Sequence, residues 1–432
     1  MSASDVVVAA GLRTPFCRRG GPFGHLTGLD LGARVVAELV ERSEVDPEAI
    51  DQVVFGQVVP SVTVTNVARE IVLAAGLPRT VDAFSVSRAC TTGYQAAVSA
   101  AQAIRAGVAE VVIAGGTDSA SAAPITVRPA LRQALVDAER AKGPGARIAA
   151  FADVRPSDLM PQAPAIAEPS TGETMGEAAE RMAKVNGIPR AAQDEYAHRS
   201  HLLAAGAWDA GRFDAQVMPL HVPPAEGAAV EATVTRDDTV RADSDLARYA
   251  QLPPVFDREH GTVTAGNSSP LTDGAAALLM MRRDRAEALG YRPLGRIRGY
   301  AFAAVDPADQ LLIGPVYSTP NALARAGVEW QDLDLVDMHE AFAAQMLSVL
   351  LGFESARFRR ETLGLDGVIG EIDWGRLNVD GGSIALGHPF AATGARQILQ
   401  ALWALRRRGG ELALCTACAA GGLAASIVLE AL

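Results

Sequence analysis

Aromatic residues and cysteine are scarce in this sequence, and an excess of positive charge is absent. Phe, Trp and Tyr supply 5% of the 432 residues, so we expect an interior built mainly of Ala, Val, Leu and Ile. The 39 Lys and Arg against 50 Asp and Glu give a net charge of −11, which argues against a broad nucleic-acid surface. With 49% hydrophobic and 21% charged residues, the composition is typical of a globular protein and excludes a largely disordered chain.

The sequence also gives little support for a secreted or a membrane-spanning protein. Four cysteines are too few for a disulfide framework in a chain of this length. The segment MSASDVVVAAGLRTP has no basic start and places Asp5 before a short apolar run, so we do not expect a signal peptide. Residues 412–429 carry no charge, but the Gly421-Gly422 pair favours two buried strands joined by a turn over a membrane helix. The sequence predicts a protein of a reducing compartment, the cytoplasm.

Short apolar runs alternate with Ala-rich amphipathic segments, which is typical of a layered α/β fold. Residues 103–116 (AIRAGVAEVVIAGG) are similar to residues 404–422 (ALRRRGGELALCTACAAGG). In both, a predicted helix ends in basic residues and Gly, and a buried strand follows. Two halves of like topology explain this similarity, with the chemistry placed at their shared face.

The length leaves room for about three domains. Between about residues 117 and 260 the chain is richer in Pro, Gly and charge, and regular α/β patterning resumes at 262–265 and 274–281. We predict an N-terminal core half formed by residues 1–118 and 262–285 and an inserted loop domain at 119–261. Residues 286–432 are predicted to form the C-terminal core half.

Cys90 lies in SVSRACTTGYQAA, after a predicted strand and at the start of a predicted helix. The free N–H groups and partial positive charge of a helix N-terminus favour a thiolate. We therefore expect a lowered pKa for Cys90, as a cysteine nucleophile requires. A buried structural cysteine is the alternative.

Two histidines lie where a ligand site is expected. His388 stands between Gly387 and Pro389 in GGSIALGHPFAATGARQI, where small residues allow close approach of a ligand. His339 follows a predicted strand at 333–338, and strand ends in α/β sheets are common ligand sites. A loop histidine without a role and a helix-capping histidine are equally good interpretations of the local sequence.

Cys415 and Cys418 form a C-x-x-C pair, the spacing of a redox dithiol or half a metal site. Because residues three apart in a strand point to opposite faces, we expect neither, and we interpret Cys415 as a core residue. His198 and His201 are interpreted as surface residues of a helix.

Four separated motifs resemble those of the thiolase family: SVSRACTTGYQA with Cys90, HEAFAAQ with His339, GGSIALGHPFAATGAR with His388, and CTACAAGG with Cys418. The resemblance runs from GLRTPF at 11–16 to the C-terminus and includes GTVTAGNSSPLTDGAAA at 261–277. VFGQVV, NVAREIVLAAG and DEYAHRSH, and a His in place of the family's usual Asn, are most similar to one branch. That branch forms the thiolase (beta) subunit of bacterial fatty-acid oxidation complexes and of the trifunctional protein.

The resemblance implies the thiolase fold, with two βαβαβαββ-type halves stacked in αβαβα layers and an inserted loop domain. It implies a 3-ketoacyl-CoA thiolase of fatty-acid β-oxidation, an acyltransferase in which Cys90 attacks the 3-keto carbon and His388 activates Cys90. Cys418 would exchange protons with the acetyl-CoA enolate and with CoA. His339 and His388 would hold the enolate oxygen, and the N–H groups of Cys90 and Ala420 the tetrahedral intermediate.

Met175, Ser269 and Phe342 match positions that line the pantetheine channel of the family. The resemblance implies coenzyme A as co-substrate, no tightly bound cofactor and no metal. It also implies a homodimer or tetramer, with a hetero-oligomer containing an enoyl-CoA hydratase/3-hydroxyacyl-CoA dehydrogenase subunit as this branch's extension. A predicted amphipathic helix at 128–140 is interpreted as a surface helix in preference to a membrane or partner contact.

Three other functions stay open within this resemblance. A biosynthetic acetoacetyl-CoA thiolase uses the same groups. A ketoacyl-synthase-like condensing enzyme uses one Cys and two His, but a decarboxylating synthase needs no second thiol such as Cys418. A non-catalytic acyl-CoA-binding protein is disfavoured because all four polar groups are present. Thr91 and Thr92 replace residues that the family usually has, so we expect an unusual acyl pocket beside Cys90.

Overall fold

The computed structural model describes residues 5–161, 167–224, 232–364 and 366–432. The chain forms two compact units. One contains the described residues up to Val59 together with those of 64–122 and 167–432, and the other contains 60–63 and those of 123–166. Most of the second unit lies inside the stretch predicted to be inserted. The three-part domain division itself stays a prediction.

The described residues contain twelve strands: β1 (Val6–Arg13), β2 (Cys17–Arg18), β3 (Gln52–Gly56), β4 (Asp82–Val86), β5 (Val111–Ser119), β6 (Leu220–Val222), β7 (Ala232–Val234), β8 (Thr272–Arg282), β9 (Gly295–Ala304), β10 (Leu335–Met338), β11 (Leu412–Ala419) and β12 (Leu423–Ala431). Ten of them form one sheet in the order β10-β11-β12-β9-β1-β8-β5-β3-β4, with β2 paired to β8. Strands β3, β4 and β5 run parallel, as do β10 and β11, and the remaining neighbours are antiparallel.

Fourteen helices lie in the described residues: α1 (Gly28–Ser43), α2 (Val67–Ala74), α3 (Thr92–Arg105), α4 (Pro129–Arg140), α5 (Pro144–Ala149), α6 (Met175–Asn186), α7 (Arg190–Asp209), α8 (Leu246–Ala250), α9 (Arg283–Ala288), α10 (Pro315–Ala326), α11 (Ala343–Glu354), α12 (Ala356–Leu363), α13 (Ser383–Leu386) and α14 (Phe390–Arg408). Helices α4 and α5 belong to the second compact unit. Helix α4 confirms the amphipathic segment predicted at 128–140.

Alternate residues of the strands pack into different hydrophobic clusters on the two faces of the sheet. In β8, Leu279 and Met281 join a cluster with residues of α1 and α2, whereas Leu278 and Met280 face a cluster with α3 and α14. The opposite face of the C-terminal strands packs on α10 and α11. Because alternate residues of a strand point to opposite faces, each half of the sheet lies between two helical layers. The resulting αβαβα stacking confirms the predicted fold class.

Helices α3 and α14 form the shared central layer because glycine removes side-chain bulk where they cross. A Cβ on Gly93 would lie 2.6 Å from the backbone N of Ala395, and a Cβ on Gly394 would lie 2.6 Å from the N of Tyr94. The Tyr94 hydroxyl donates a 2.8 Å hydrogen bond to Oε1 of Gln397 across the same contact. This close approach brings Cys90, just before α3, toward His388, just before α14.

Residues 262–265, where regular α/β patterning resumes in the sequence, form neither a strand nor a helix. The N–H of Thr264 donates to Oδ1 of Asn267 at 2.8 Å, and the N–H groups of Thr262 and Val263 donate to the buried carboxylate of Glu180. These side-chain acceptors take the place of a strand partner.

The uncharged stretch near the C-terminus forms β11 and β12, joined at Ala420–Gly422, as predicted. Within the described part of the chain, no helix is both long and apolar enough to cross a bilayer.

Candidate active site

Cys90 lies in a tight turn between β4 and α3. Ala89 adopts a φ of 45°, a left-handed conformation that residues with a Cβ seldom occupy. The Thr91 hydroxyl donates to the carbonyl of Arg88 at 2.8 Å, and the Thr92 hydroxyl donates to the carbonyl of Ala89 at 2.6 Å. The N–H of Arg88 donates to Oγ1 of Thr92 at 2.7 Å. The two threonines therefore hold the strained backbone that presents Cys90.

The expectation of a lowered pKa for Cys90 is wrong. Cys90 is only half-buried as a residue, yet burial of its thiol raises the pKa to about 12. The N–H groups of Ala420 and of Cys90 itself oppose this rise, and the charge of Asp118 adds to it. Desolvation penalises the thiolate more than these two N–H groups stabilise it. The resting nucleophile is a neutral thiol.

His339 and His388 stack beside this thiol. Their ring centroids lie 4.1 Å apart at an angle of 39°. A ligating atom from each of Cys90, His339 and His388 lies within 4.8 Å of the other two. Such a Cys-His-His set has the chemistry of a soft-metal site as well as that of acid–base catalysis.

Each histidine uses Nδ1 for a protein contact and leaves Nε2 for the site. Nδ1 of His339 lies 2.8 Å from Oγ of Ser383, and Nδ1 of His388 lies 2.7 Å from Oγ1 of Thr393. Both Nε2 atoms are buried without a partner among the described residues. A buried ring nitrogen without a partner costs free energy unless a ligand supplies one, so these atoms mark a binding position.

Both imidazoles are neutral at rest. Burial, with the charge of Arg396, lowers the pKa of His388 to about 3. Burial lowers the pKa of His339 well below its ordinary value, with the charges of His388 and Arg396 adding to the effect. Neutral imidazole accepts a proton at one nitrogen and donates from the other, which is the form that general base catalysis needs.

Cys418 lies near the end of β11 and is fully buried. Burial raises its pKa well above the ordinary value, and the charge of Cys90 contributes to the rise, which places the two sulfurs within electrostatic range. Cys415 lies in the central cluster with α3 and α14, whereas Cys418 faces the other side of β11. The predicted separation of the C-x-x-C pair onto two faces is confirmed.

A buried ion pair between Arg396 and Asp337 lies next to Ser383, the hydrogen-bond partner of His339. Nη2 of Arg396 donates to Oγ of Ser383 at 2.9 Å, and its Nη1 lies 3.5 Å from Oδ1 of Asp337. Nε2 of Gln397 donates to the same carboxylate oxygen at 2.8 Å. These residues were not predicted as part of the site, although Ser383 and Arg396 lie in the motif that contains His388.

Glu340, next to His339, is a second buried carboxylate that the sequence analysis missed. It accepts hydrogen bonds from the hydroxyls of Tyr196 and Ser200, the amide of Asn378 and the N–H of Ile384. These four donors come from α7, from the loop before α13 and from α13 itself. The network fixes the loop that carries His339.

Of the three residues predicted to line the CoA channel, Ser269 and Phe342 lie at this loop. Phe342 precedes α11 and packs edge-on against Phe256 with ring centroids 6.2 Å apart. The N–H of Ser269 donates to the carbonyl of Ala341 at 3.0 Å. Met175 starts α6 and packs on the same apolar cluster as Phe342. Their role in CoA binding stays a prediction.

The interpretation of His201 as a surface residue is wrong, whereas His198 is half-buried. His201 is 3% exposed, and its Nδ1 accepts from the N–H of Arg241 at 3.2 Å. Burial and neighbouring charge lower its pKa to about 4. His201 and Arg241 line a cavity of about 230 Å³ together with Arg18, Ser268 and Ile384. Ile384 directly follows Ser383, the residue whose hydroxyl contacts Nδ1 of His339.

Two family models match the chain almost end to end. One, described as "Thiolase, N-terminal domain", matches residues 6–284, and the other, "Thiolase, C-terminal domain", matches residues 291–431. The chain belongs to the thiolase family. Among curated thiolases it is 54% identical to the 3-ketoacyl-CoA thiolases of Aeromonas salmonicida (strain A449) and Pectobacterium carotovorum subsp. carotovorum (strain PC1). Each match covers 425 residues, 98% of this chain and 96% of the relative.

Solved structures of similar proteins agree with the fold described above. The Bacillus anthracis acetyl-CoA acetyltransferase is 34% identical with a TM-score of 0.83, covering 99% of each chain. Human mitochondrial 3-ketoacyl-CoA thiolase is 32% identical with a TM-score of 0.82, covering 100% of each chain. The same human enzyme has been solved in complex with CoA.

Proposed function

We propose that this chain is a 3-ketoacyl-CoA thiolase that cleaves 3-ketoacyl-CoA with CoA to give acetyl-CoA and an acyl-CoA two carbons shorter. The observation that carries the proposal is the convergence of Cys90, His339 and His388 within 4.8 Å, with Cys418 in electrostatic range of Cys90. A second cysteine in that position favours C–C cleavage over a decarboxylating condensation. The 54% identity to 3-ketoacyl-CoA thiolases supports the same substrate class.

In the first half-reaction, Nε2 of His388 takes the thiol proton of Cys90 as the sulfur attacks the 3-keto carbon. The alkoxide that forms lies against the N–H groups of Cys90 and Ala420, which point at the sulfur. Collapse of the alkoxide breaks the C2–C3 bond and leaves the electron pair as the acetyl-CoA enolate. Cys418 gives its proton to C2, so acetyl-CoA departs and Cys90 remains acylated.

In the second half-reaction, the Cys418 thiolate removes the thiol proton of incoming CoA. The CoA thiolate attacks the acyl carbon, the carbonyl re-forms, and Cys90 leaves as thiolate. The imidazolium of His388 returns the proton to Cys90. Both sulfurs and both imidazoles are then neutral again, which matches the raised thiol pKa values and lowered histidine pKa values of the resting site.

CoA is proposed to enter along Met175, Ser269 and Phe342 and past the cavity beside His201. Nε of Arg18 in this cavity lies 3.4 Å from the carboxylate of Asp238. The guanidinium of Arg18 is therefore already paired with an anion of the protein. Arg241 is the other cation of the lining, and we assign it to a CoA phosphate. We further propose a cytoplasmic homodimer or tetramer, with a hydratase/dehydrogenase subunit as its partner.

The decisive test is a thiolysis assay that follows the loss of 3-ketoacyl-CoA absorbance over several chain lengths. Wild-type enzyme should turn over, and Cys90→Ser should lose at least about a thousandfold, because an alkoxide is not available at neutral pH. Cys415→Ala is the matched control, since it removes a cysteine from the opposite face of the strand that carries Cys418. Substrate binding without turnover would favour the acyl-CoA-binding alternative.

A further inference from the structure

We propose that Arg396, acting through Ser383, holds His339 in the tautomer that carries its proton on Nε2. His339 is then a fixed hydrogen-bond donor into the site, and His388 alone accepts the proton of Cys90. This inference rests on the proposed thiolase activity and divides the roles of two imidazoles that geometry alone leaves equivalent. Ser383 and Arg396 are positioning residues, because they act through His339.

The hydrogen bond between Arg396 and Ser383 can run in only one direction. A guanidinium has N–H donors and no acceptor, and it does not lose its charge in a protein. The 2.9 Å contact between Nη2 of Arg396 and Oγ of Ser383 is therefore a bond in which the serine oxygen accepts. Its direction is fixed whatever the protonation state of His339.

The proton of the Ser383 hydroxyl then needs an acceptor. Among the described residues, the other hydrogen-bond partner of this oxygen is Nδ1 of His339, at 2.8 Å. Donation to Nδ1 requires a lone pair there, which in a neutral imidazole places the proton on Nε2. Burial keeps His339 neutral, so the doubly protonated ring is not the resting form.

The opposite tautomer leaves a donor without a partner. With a proton on Nδ1, His339 would donate to Oγ of Ser383, which already accepts from Arg396. The serine proton would then point into a fully buried region, since Ser383 and Arg396 are both 0% exposed. A buried hydroxyl proton without an acceptor pays its full desolvation penalty, so this tautomer is disfavoured.

Arg396 is anchored from its own side. Its Nη1 lies 3.5 Å from Oδ1 of Asp337 and 3.5 Å from Oε1 of Gln400. Asp337 is itself held by the amide of Gln397 at 2.8 Å. Burial raises the pKa of Asp337 to about 6, while the charge of Arg396 opposes that rise. At neutral pH the carboxylate therefore faces the guanidinium and keeps it aimed at Ser383.

His388 has a different partner and therefore a different role. Its Nδ1 contacts the hydroxyl of Thr393 at 2.7 Å, and a threonine oxygen accepts as readily as its proton is donated. Nδ1 of His388 can keep its proton while Nε2 accepts one from Cys90. The two rings at 4.1 Å thus present one donor and one acceptor to the substrate.

The same tautomer decides between two uses of the Cys-His-His set. A cation bound by Cys90, His339 and His388 would need a lone pair on the site-facing nitrogen of both rings. A proton on Nε2 of His339 removes one of those lone pairs. The relay from Arg396 therefore favours an enolate oxygen over a metal ion as the partner of His339.

The first test separates enolate chemistry from acylation. Ser383→Ala removes the hydroxyl without adding bulk and should slow deuterium exchange into the acetyl-CoA methyl group about tenfold or more. Exchange of labelled CoA into acetyl-CoA, which reports acylation of Cys90, should stay within about threefold. The matched control is Ser348→Ala, another buried serine, whose hydroxyl donates to the carbonyl of Ala344 at 2.8 Å. Equal losses in both exchange reactions would overturn the proposal.

The second test reads the tautomer directly in the wild-type enzyme. In ¹⁵N-histidine-labelled wild-type enzyme, Nδ1 of His339 should give the resonance of an unprotonated nitrogen and Nε2 that of a protonated one. The signal is assigned by its loss in His339→Gln. A protonated Nδ1 in the wild type would overturn the proposal. Because no substrate is present, this result is independent of whether the enzyme proves to be a thiolase.

Discussion

The two imidazoles of His339 and His388 stack with centroids 4.1 Å apart, and each presents a buried Nε2 that has no partner among the described residues. Leaving one such group unpaired costs about 1–3 kcal/mol in a folded protein. Two unpaired Nε2 atoms on neighbouring rings indicate a binding site for a ligand atom, which lowers the stability of the protein while it is empty. A thioester oxygen that becomes an enolate is the atom that gains most from them, because its charge develops during the reaction.

The neutral resting state of Cys90 and His388 gives a testable pH dependence. The pKa of Cys90 is raised to about 12 and that of His388 is lowered to about 3, so neither group titrates between pH 6 and pH 9. We expect the acylation rate of Cys90 to show no inflection from this pair in that range. A preformed thiolate–imidazolium pair would instead lose activity as the thiolate is protonated.

Asp118 is the control for that profile, because its charge raises the pKa of Cys90 and its own pKa is raised to about 7 by burial. Any inflection near pH 7 should therefore disappear in Asp118→Asn. Single-turnover acylation measured across this range decides the matter. An inflection between pH 6 and pH 9 that persists in Asp118→Asn would contradict the neutral pair.

Replacing Cys418 should separate the two kinds of chemistry in the site. Cys418→Ala retains Cys90, both histidines and the N–H group of Ala420, so a short acyl-CoA should still acylate Cys90. Protonation of the enolate and activation of CoA both lose their acid–base group, and we expect thiolysis to fall by at least about a hundredfold. Mass spectrometry of the acyl-enzyme and the thiolysis assay measure the two. Unchanged thiolysis would remove Cys418 from the mechanism.

Features that local sequence pattern determines could be predicted from the sequence, whereas features that tertiary packing determines could not. The turn before α3 and the two faces of β11 follow from period and spacing, so the positions of Cys90, Cys415 and Cys418 were predictable. The pKa of Cys90 was not, because desolvation depends on what the fold packs around the thiol. A helix start in the sequence indicates an effect that lowers the pKa and does not reveal how far the thiol is desolvated.

The hydrogen-bond networks between side chains could likewise not be predicted from the sequence. Arg396 lies on α14, Ser383 on α13 and His339 after β10, and only the fold brings their polar atoms within 3 Å of each other in turn. The segment at 262–265 has the β-branched pattern of a strand, yet Glu180 on α6 captures its N–H groups. His201 was assigned to the surface because helix periodicity does not reveal what lies over a helix.

Thr92 should prove structurally important for the nucleophile turn. Its hydroxyl donates to the carbonyl of Ala89 at 2.6 Å and accepts from the N–H of Arg88 at 2.7 Å, and both bonds are lost in Thr92→Val. We expect a loss of about 1–3 kcal/mol in unfolding free energy and a lower acylation rate, because the left-handed Ala89 is no longer held. Urea unfolding and single-turnover acylation check the two effects. Thr63→Val, at an exposed threonine, is the control.

Asp118 should make the folded state less stable as pH rises from about 4 to about 7. Its carboxylate accepts the N–H groups of Val58, Val59 and Ala391, but burial still raises its pKa from 3.8 to about 7. Between these two values the folded protein keeps a proton that the unfolded chain has lost, so the free energy of unfolding falls as pH rises and levels off above about pH 7.

In Asp118→Asn this contribution to the slope disappears, and urea midpoints at pH 5 and pH 8 should differ less than in the wild type. The matched control is Asp51→Asn, because Asp51 is an exposed carboxylate that also accepts two backbone N–H groups, those of Glu110 and Val111. Its slope should stay close to that of the wild type. If Asp118→Asn retained the full wild-type slope, the fold would be binding that proton elsewhere, and Asp118 would be ionised beneath α14 throughout the range.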